Sequence, residues 1–198
     1  MNFLAHAFLA GPADSDLIGG LIGDFVKGPL PAGLPAPIAS GVALHRRIDS
    51  FAETHPAFRA SRARVSPARR RVGGIMVDLF YDHFLAHQWP RYSPQPLEHF
   101  TAAAYAALAG RAEILPERLA QMLPRMQAED WFASYRDIEV LGQVLDRMSA
   151  HRFSRANPLA GGVEELRADY AGFAADFAAF LPDALAFCAA WRAAREPA

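Results

Sequence analysis

Side chains that can bind a metal ion occur at three places within otherwise apolar, helix-forming stretches of this 198-residue chain. They combine imidazole rings with carboxylates, a mixture that suits Mn²⁺, Fe²⁺, Zn²⁺ or Mg²⁺. A cation of this kind can polarise a phosphoryl oxygen and lower the pKa of its bound water, which gives a nucleophile near neutral pH. The candidate ligands are His6, Asp24, His45, Asp49, Asp78, Asp82 and His83.

The spacing of these residues predicts that several of them share helix faces. His45 and Asp49 are four residues apart, as are Asp78 and Asp82, and residues four apart are neighbours on a helix. His83 follows Asp82 and lies about 100° further round the same helix. Two packed helices could therefore present all five side chains to one cavity.

Asp24 could complete that cavity, because the preceding glycines 19, 20 and 23 would allow a close approach of the backbone. Carboxylates buried together without a cation would resist ionisation, so a metal explains their clustering. The alternative is structural. An aspartate at a helix start is often a cap, and His45 with Asp49 could be an ordinary i, i+4 pair.

Arginines supply a second kind of candidate. Arg46, directly after His45, could hold a phosphate oxygen in a bidentate manner. Further on, residues 59–71 contain six arginines and no acidic residue. This segment predicts a local basic surface for an acidic partner, with a merely solvated basic face as the alternative. Its most compact part is Arg69, Arg70 and Arg71.

The elements that must position these residues are predicted to be helices. Alanine and leucine dominate, and apolar residues recur at helical spacing. The proline-rich stretch 28–37 is expected to be a loop, and Pro182 is expected to kink or divide the last helix. We predict an all-α fold, a helical bundle forming a single domain over residues 1–198. The expected helices cover residues 3–10, 14–27, 38–53, 73–87, 97–110, 116–127, 131–151 and 162 to the C-terminus.

Composition limits the function. An apolar fraction of 52% argues against disorder, and a formal net charge of -1 argues against a general nucleic-acid binder. The single cysteine, Cys188, suits a reducing compartment. The apolar start lacks a basic region and predicts a buried first segment, not a signal peptide. No uncharged stretch reaches membrane-spanning length. These features favour a cytoplasmic protein that does not bind membranes.

Five motifs occur between the first residue and beyond position 150, namely MNFLAHAFLA, GDFVKG, HRRID, DHF and WFASYRD. Together, and in this order, they resemble the acyl carrier protein phosphodiesterases. The resemblance implies an all-helical enzyme similar to the HD-type metal phosphohydrolases. It would remove 4′-phosphopantetheine from holo-acyl carrier protein by hydrolysing the phosphodiester link to serine. It would depend on a divalent metal, Mn²⁺ first and Mg²⁺ or Fe²⁺ as alternatives.

The resemblance also implies site residues. Asp24 matches the family's essential aspartate, and His6, His45, Asp82 and His83 fall on motif positions expected to bind metal or phosphate. Helical geometry adds Asp49 and Asp78 to the metal ligands. We expect catalytic roles for Asp24, His83 and Arg46, and docking of the acidic carrier protein on the arginines at positions 69 to 71. No His-Asp dipeptide occurs in the chain, so the ligand order of ordinary HD enzymes does not map onto it.

Two rival functions share parts of this pattern. A metal-dependent phosphatase or phosphodiesterase for a nucleotide or another small phosphoester would use the same site without the basic segment. A helical binding module would use the acidic residues structurally and would carry no stoichiometric metal.

Overall fold

The computed structural model describes residues 1–151 and 155–195, and within them the chain forms eleven α-helices and no β-strand. The all-α prediction is confirmed. The assignment of residues 1–198 to one HD-like domain stays a prediction, part of which falls on residues outside the described ranges. The helices are α1 (Phe3–Ala10), α2 (Asp14–Ile22), α3 (Ala36–Thr54), α4 (Pro56–Arg64), α5 (Gly73–His87), α6 (Leu97–Ala109), α7 (Glu117–Ala128), α8 (Trp131–Ser134), α9 (Ile138–His151), α10 (Val163–Ala168) and α11 (Tyr170–Ala193).

The core is built around α5, which is apolar on nearly every face. Phe80 and Phe84 of this helix are fully buried, and Phe173 and Phe177 of α11 pack against them edge-on or stacked. The first helix is buried too, as the sequence predicted, with Leu4 completely inaccessible. Both helices therefore carry their polar residues into the interior, where such groups need partners.

Glycines set the separation of α2 and α3. A Cβ atom on Gly19 would lie 2.6 Å from the Cα atom of Gly41, so the two backbones touch at this crossing. A Cβ atom on Gly23 would lie 2.2 Å from Cγ of His45. The predicted close approach is confirmed, and it seats the His45 ring against the end of α2.

Three predicted helices end or divide elsewhere than the sequence pattern indicated. The helix expected over 14–27 stops at Ile22 and continues as a 3₁₀ turn over Gly23–Phe25. The helix expected over 131–151 breaks after Ser134, because Asp137 accepts the amide hydrogen of Glu139 and starts a new helix.

The C-terminal helix divides at Asp169 and runs on through Pro182. The Asp169 carboxylate accepts a hydrogen bond from the backbone N–H of Gly172, which caps the start of α11. The Asp169 cap therefore sets the boundary between α10 and α11, and Pro182 does not end the helix. By length and composition α11 is the one described helix that could span a membrane. Its aromatic face packs into the core through Phe173, Phe177 and Phe180.

Candidate metal centre

Four of the predicted ligands meet at the junction of α1, α3 and the Gly23–Phe25 turn. His6 Nε2 lies 3.1 Å from Asp49 Oδ1, and His45 Nε2 lies 3.3 Å from Asp49 Oδ2. Asp24 Oδ1 lies 3.6 Å from the same His45 nitrogen. The two imidazole rings stack with their centroids 3.7 Å apart. We call these four residues the His–Asp cluster.

His45 is held in one orientation by the backbone. Its Nδ1 lies 2.7 Å from the carbonyl oxygen of Gly20, which can only accept, so Nδ1 donates. When the ring is neutral, the lone pair therefore sits on Nε2 and faces the carboxylates, the tautomer required of a metal ligand. Without a cation, burial would lower the pKa of His45, but Asp24 and Asp49 together raise it to about 9.

His6 is a buried imidazole that lacks hydrogen-bond partners. Within the described residues neither ring nitrogen makes a hydrogen bond, because the contact of Nε2 with Asp49 has the distance but not the geometry of one. Burial, and then the neighbouring charge of His45, lower its pKa to about 3. His6 is thus neutral, and a cation bound at Nε2 would satisfy one of its two unpartnered nitrogens.

The carboxylate of Asp49 lies at the centre of the charges. Burial would raise its pKa, but the close contacts with His45 and His6 and the charge of the Met1 ammonium lower it well below its usual range. That ammonium lies 3.2 Å from Asp49 and 2.9 Å from Asp78. Burial raises the pKa of Asp78, which faces the ammonium rather than the imidazoles. The carboxylates of this region therefore already attract one cation.

The residues present fit a divalent cation. His6, His45 and Asp49 each offer a ligand atom, and the three atoms lie within 4.8 Å of one another. Tetrahedral ligands placed about 2.1 Å from one ion are separated by roughly 3.4 Å. The observed nitrogen–oxygen separations of 3.1, 3.3 and 3.6 Å match that spacing. Asp24 is the fourth candidate, and its side chain is 55% exposed.

A cleft of about 270 Å³ opens beside the cluster. Asp24, Asp49 and Asp78 line one part of it, so a ligand can reach the carboxylates from solvent. We call it the acidic cleft. Its lining residues are Met1, Asn2, Asp24, Asp49, Ala52, Glu53, Phe58, Ile75, Asp78, Leu79 and Met148.

Asp82 lies outside the cluster and caps a helix. It is fully buried, and its two carboxylate oxygens accept hydrogen bonds from the backbone N–H groups of Leu4 and Ala5, at 2.8 and 3.0 Å. Those donors belong to the first turn of α1, whose amides have no partner within the helix. Burial raises the pKa of Asp82 to about 7 against the opposing effect of these bonds. These contacts account for Asp82 without a metal.

His83 and Arg46 also have other partners. His83 contacts the Tyr135 carbonyl oxygen through Nδ1 and the Tyr170 hydroxyl through Nε2, both at 2.9 Å, and burial lowers its pKa. Arg46 donates to the carbonyl oxygens of Val26 and Gly28, both at 2.9 Å, and so ties down the loop after Asp24. Neither residue lines the acidic cleft. Their catalytic roles stay predictions.

Only part of the predicted docking segment is free to meet a partner. Arg69 donates to the carbonyl oxygens of Pro158 and Ala160 and pairs with Glu165, so its side chain links the 3₁₀ segment around it to residues 158–165. Arg70 and Arg71 are exposed, and within the described residues they form no ion pair.

Sequence reasoning missed two features of the site. One is the Met1 amino group, which no side-chain pattern could reveal. The other is the apolar wall of the acidic cleft, which includes Ile75 and Met148 from α5 and α9. A partial signal existed, since Ile75 precedes Asp78 by three residues and such residues share a helix face.

Known protein sequences resemble this chain over most of its length. The sequence model of a family described as acyl carrier protein phosphodiesterase matches residues 1–184. An acyl carrier protein phosphodiesterase of Salmonella dublin is 36% identical over 187 residues, covering 94% of this chain and 96% of that protein. The one from Photorhabdus laumondii is 34% identical over 183 residues, covering 92% of each. No solved structure matches the chain. With a family match over most of its length, and relatives above one-third identity, the chain belongs to the acyl carrier protein phosphodiesterase family.

Proposed function

We propose that this protein hydrolyses the phosphodiester that joins 4′-phosphopantetheine to a serine of holo-acyl carrier protein, and that it does so with a divalent cation, Mn²⁺ first. The observation that carries the proposal is the His–Asp cluster facing an open acidic cleft. Family membership supplies the substrate class. His6, His45 and Asp49 would hold the cation, with Asp24 beside it.

The chain's own residues would prepare the reaction in the following way. The cation, when bound, supplies an electrophile for the phosphoryl oxygens and acidifies water. The exposed Asp24 carboxylate, whose pKa is lowered by its neighbour His45, stays ionised and can orient the attacking water or accept its proton. The Gly20 carbonyl keeps His45 in place. The water oxygen bonds to phosphorus, the bond from phosphorus to the serine oxygen breaks, and that oxygen takes up a proton.

We propose Arg70 and Arg71 as the docking surface for the acidic carrier protein. They lie in a 3₁₀ segment, Pro67–Val72, directly before α5, and α5 contributes Ile75 and Asp78 to the acidic cleft. Arg71 precedes Ile75, a residue of the cleft lining, by four positions in the chain, which supports a docking surface close to the acidic cleft. Exposed charges of this kind steer association and make its rate salt-dependent.

We also propose that the protein is cytoplasmic and that its partners include neither nucleic acid nor membranes. The net charge of -1 and the single buried thiol of Cys188 support this proposal.

The proposed function predicts a mass change in a defined substrate. Incubated with Mn²⁺, the metal-stripped protein should convert holo-acyl carrier protein to the apo form, and a chelator should stop the conversion. Mass spectrometry of the carrier protein measures the loss of the prosthetic group. If the chelator did not slow the conversion, the proposed requirement for a metal ion would be wrong. Turnover of a panel of nucleotides with no release from holo-acyl carrier protein would favour the small-molecule phosphoesterase instead.

Charge reversal tests the docking surface. The double variant Arg70→Glu with Arg71→Glu should lower kcat/KM for holo-acyl carrier protein by about tenfold at low salt and flatten its salt dependence. Arg111→Glu with Arg118→Glu is the matched control, because both residues are exposed and change the net charge equally. An equal loss in both double variants would show a global charge effect and contradict this docking surface.

A further inference from the structure

The lining of the acidic cleft combines polar and apolar side chains. Its polar residues are the three carboxylates of Asp24, Asp49 and Asp78, together with Asn2 and Glu53. Its apolar wall comes from α3, α4, α5 and α9, namely Ala52, Phe58, Ile75, Leu79 and Met148. Ile75 and Met148 are half-buried, so they are reachable from the cleft, whereas Phe58 and Leu79 form its buried floor.

We propose that this apolar wall is a binding subsite for the pantothenoyl part of the phosphopantetheine arm, with Ile75 and Met148 as its specificity-determining residues. The inference rests on the proposed function and adds to it the direction in which the substrate lies. The phosphate would sit at the His–Asp cluster, the arm would extend over Ile75 and Met148, and the serine of the carrier protein would remain at the mouth.

Size decides which side of the diester enters. The phosphorus carries two substituents, a serine on a folded protein and a thin flexible arm. A cleft of about 270 Å³ lies at the lower end of the roughly 300–1,000 Å³ usual for small-molecule sites. It can hold one end of the arm, whereas the folded domain that carries the serine is too large to enter. The carrier protein must therefore stay outside the cleft, and the exposed Arg70 and Arg71 are the docking residues proposed for it.

The chemistry of the arm suits the mixed lining of the cleft. The second carbon from the phosphoester oxygen carries two methyl groups, and a hydroxyl-bearing carbon and then an amide follow it. The apolar side chains of Ile75 and Met148 suit the methyl groups. Glu53, also in the lining, offers carboxylate oxygens that could accept from the amide N–H. A nucleoside would need a face on which its base could stack, and Phe58, the one aromatic residue among the described residues of the lining, is 1% exposed.

Inhibition measured on the whole protein tests the subsite. With Mn²⁺ and the small chromogenic diester methyl 4-nitrophenyl phosphate as reporter, 4′-phosphopantetheine should inhibit at least about tenfold more tightly than ethyl phosphate, since burying two methyl groups is worth about that much. Met148→Trp and Ile75→Trp fill the cleft and should bring this ratio close to one. Gln143→Trp, an exposed change on the same helix as Met148, should leave the ratio as in the wild type.

The outcomes separate the subsite from the proposed function. Equal inhibition of the wild-type protein by 4′-phosphopantetheine and ethyl phosphate would overturn the subsite, whatever the variants do. So would an unchanged ratio in both tryptophan variants. The function itself is read separately, by release of the prosthetic group from holo-acyl carrier protein. A wild-type protein that cleaves the reporter but releases nothing would overturn the proposed function and the subsite together.

Discussion

Replacing Asp49 by asparagine should lower kcat/KM for holo-acyl carrier protein by about 10³-fold, which corresponds to the several kcal/mol that a metal ion contributes to transition-state stabilisation. Asp49 is the residue that both imidazoles contact, at 3.1 and 3.3 Å. Asparagine keeps the shape of the side chain and removes its charge. It also removes the attraction of the Asp49 carboxylate for the Met1 ammonium and protonated His45, so the metal-free variant should melt at a lower temperature than the metal-free wild-type protein.

Metal binding gives this prediction a readout independent of turnover. Because a ligand that binds only the folded state stabilises it by mass action, added Mn²⁺ should raise the melting temperature of the wild-type protein. The same Mn²⁺ should leave the melting temperature of Asp49→Asn unchanged. Elemental analysis of the dialysed proteins should show stoichiometric metal in the wild type and little in the variant.

Asp183→Asn is the matched control. Asp183 is an exposed aspartate whose carboxylate lies 3.1 Å from His55 Nε2, so it reproduces the His–Asp pairing away from the cluster. It should keep both the activity and the response to Mn²⁺. If Asp49→Asn behaved like Asp183→Asn in both assays, the cation would have to be held elsewhere, and the His–Asp cluster would be a buried ion-pair network.

The sequence predicts the part of the His–Asp cluster whose geometry follows from residue spacing along one helix. His45 and Asp49 share a face of α3, as the i, i+4 rule predicts from the sequence alone. The glycine before Asp24 predicted a close approach, and Gly23 indeed leaves room only for the His45 ring. These inferences depend on local helix geometry, which sequence period determines well.

The same rule could not tell which partner a helical residue would meet. Asp78 and Asp82 are also four residues apart, yet Asp78 faces the Met1 ammonium while Asp82 faces the first turn of α1. His83, one residue on, contacts Tyr135 and Tyr170 instead. By residue type alone, a buried carboxylate can bind a cation or cap a helix equally well. Only the packing of α1 on α5 distinguishes these two roles. That packing belongs to the tertiary structure, which residue spacing along one helix does not determine.

The arginine segment shows a similar limit. Its charge was evident from the sequence, but the division between structural and free side chains was not. Arg64 pairs with Asp169 and Asp176, far along the chain, and Arg69 pairs with Glu165. The number of arginines in such a segment is therefore an upper limit on the number available to a partner, because acidic residues distant in the chain can pair with some of them.

Removing the Asp82 carboxylate should destabilise the protein without removing its metal. In Asp82→Ala the backbone N–H groups of Leu4 and Ala5 lose their buried acceptors, which should cost roughly 2–4 kcal/mol of unfolding free energy. For a chain of this length that lowers the melting temperature by about 5–15 °C. Asp82→Asn, which keeps one acceptor oxygen and the volume, should lose clearly less.

The comparison with Asp49→Asn then decides what Asp82 does. Well below its melting temperature, Asp82→Ala should bind Mn²⁺ stoichiometrically and keep most of its activity, since no ligand atom of the His–Asp cluster has been removed. Any loss of Mn²⁺ binding or activity should come from α1, which carries His6 and whose first turn no longer has the Asp82 carboxylate as its hydrogen-bond acceptor. The metal-ligand prediction for Asp82 requires the opposite pattern, with metal and activity lost while the melting temperature of the metal-free protein barely changes. Because a cap acts on unfolding free energy and a ligand acts on metal affinity, calorimetry with and without Mn²⁺ separates the two roles in a single pair of variants.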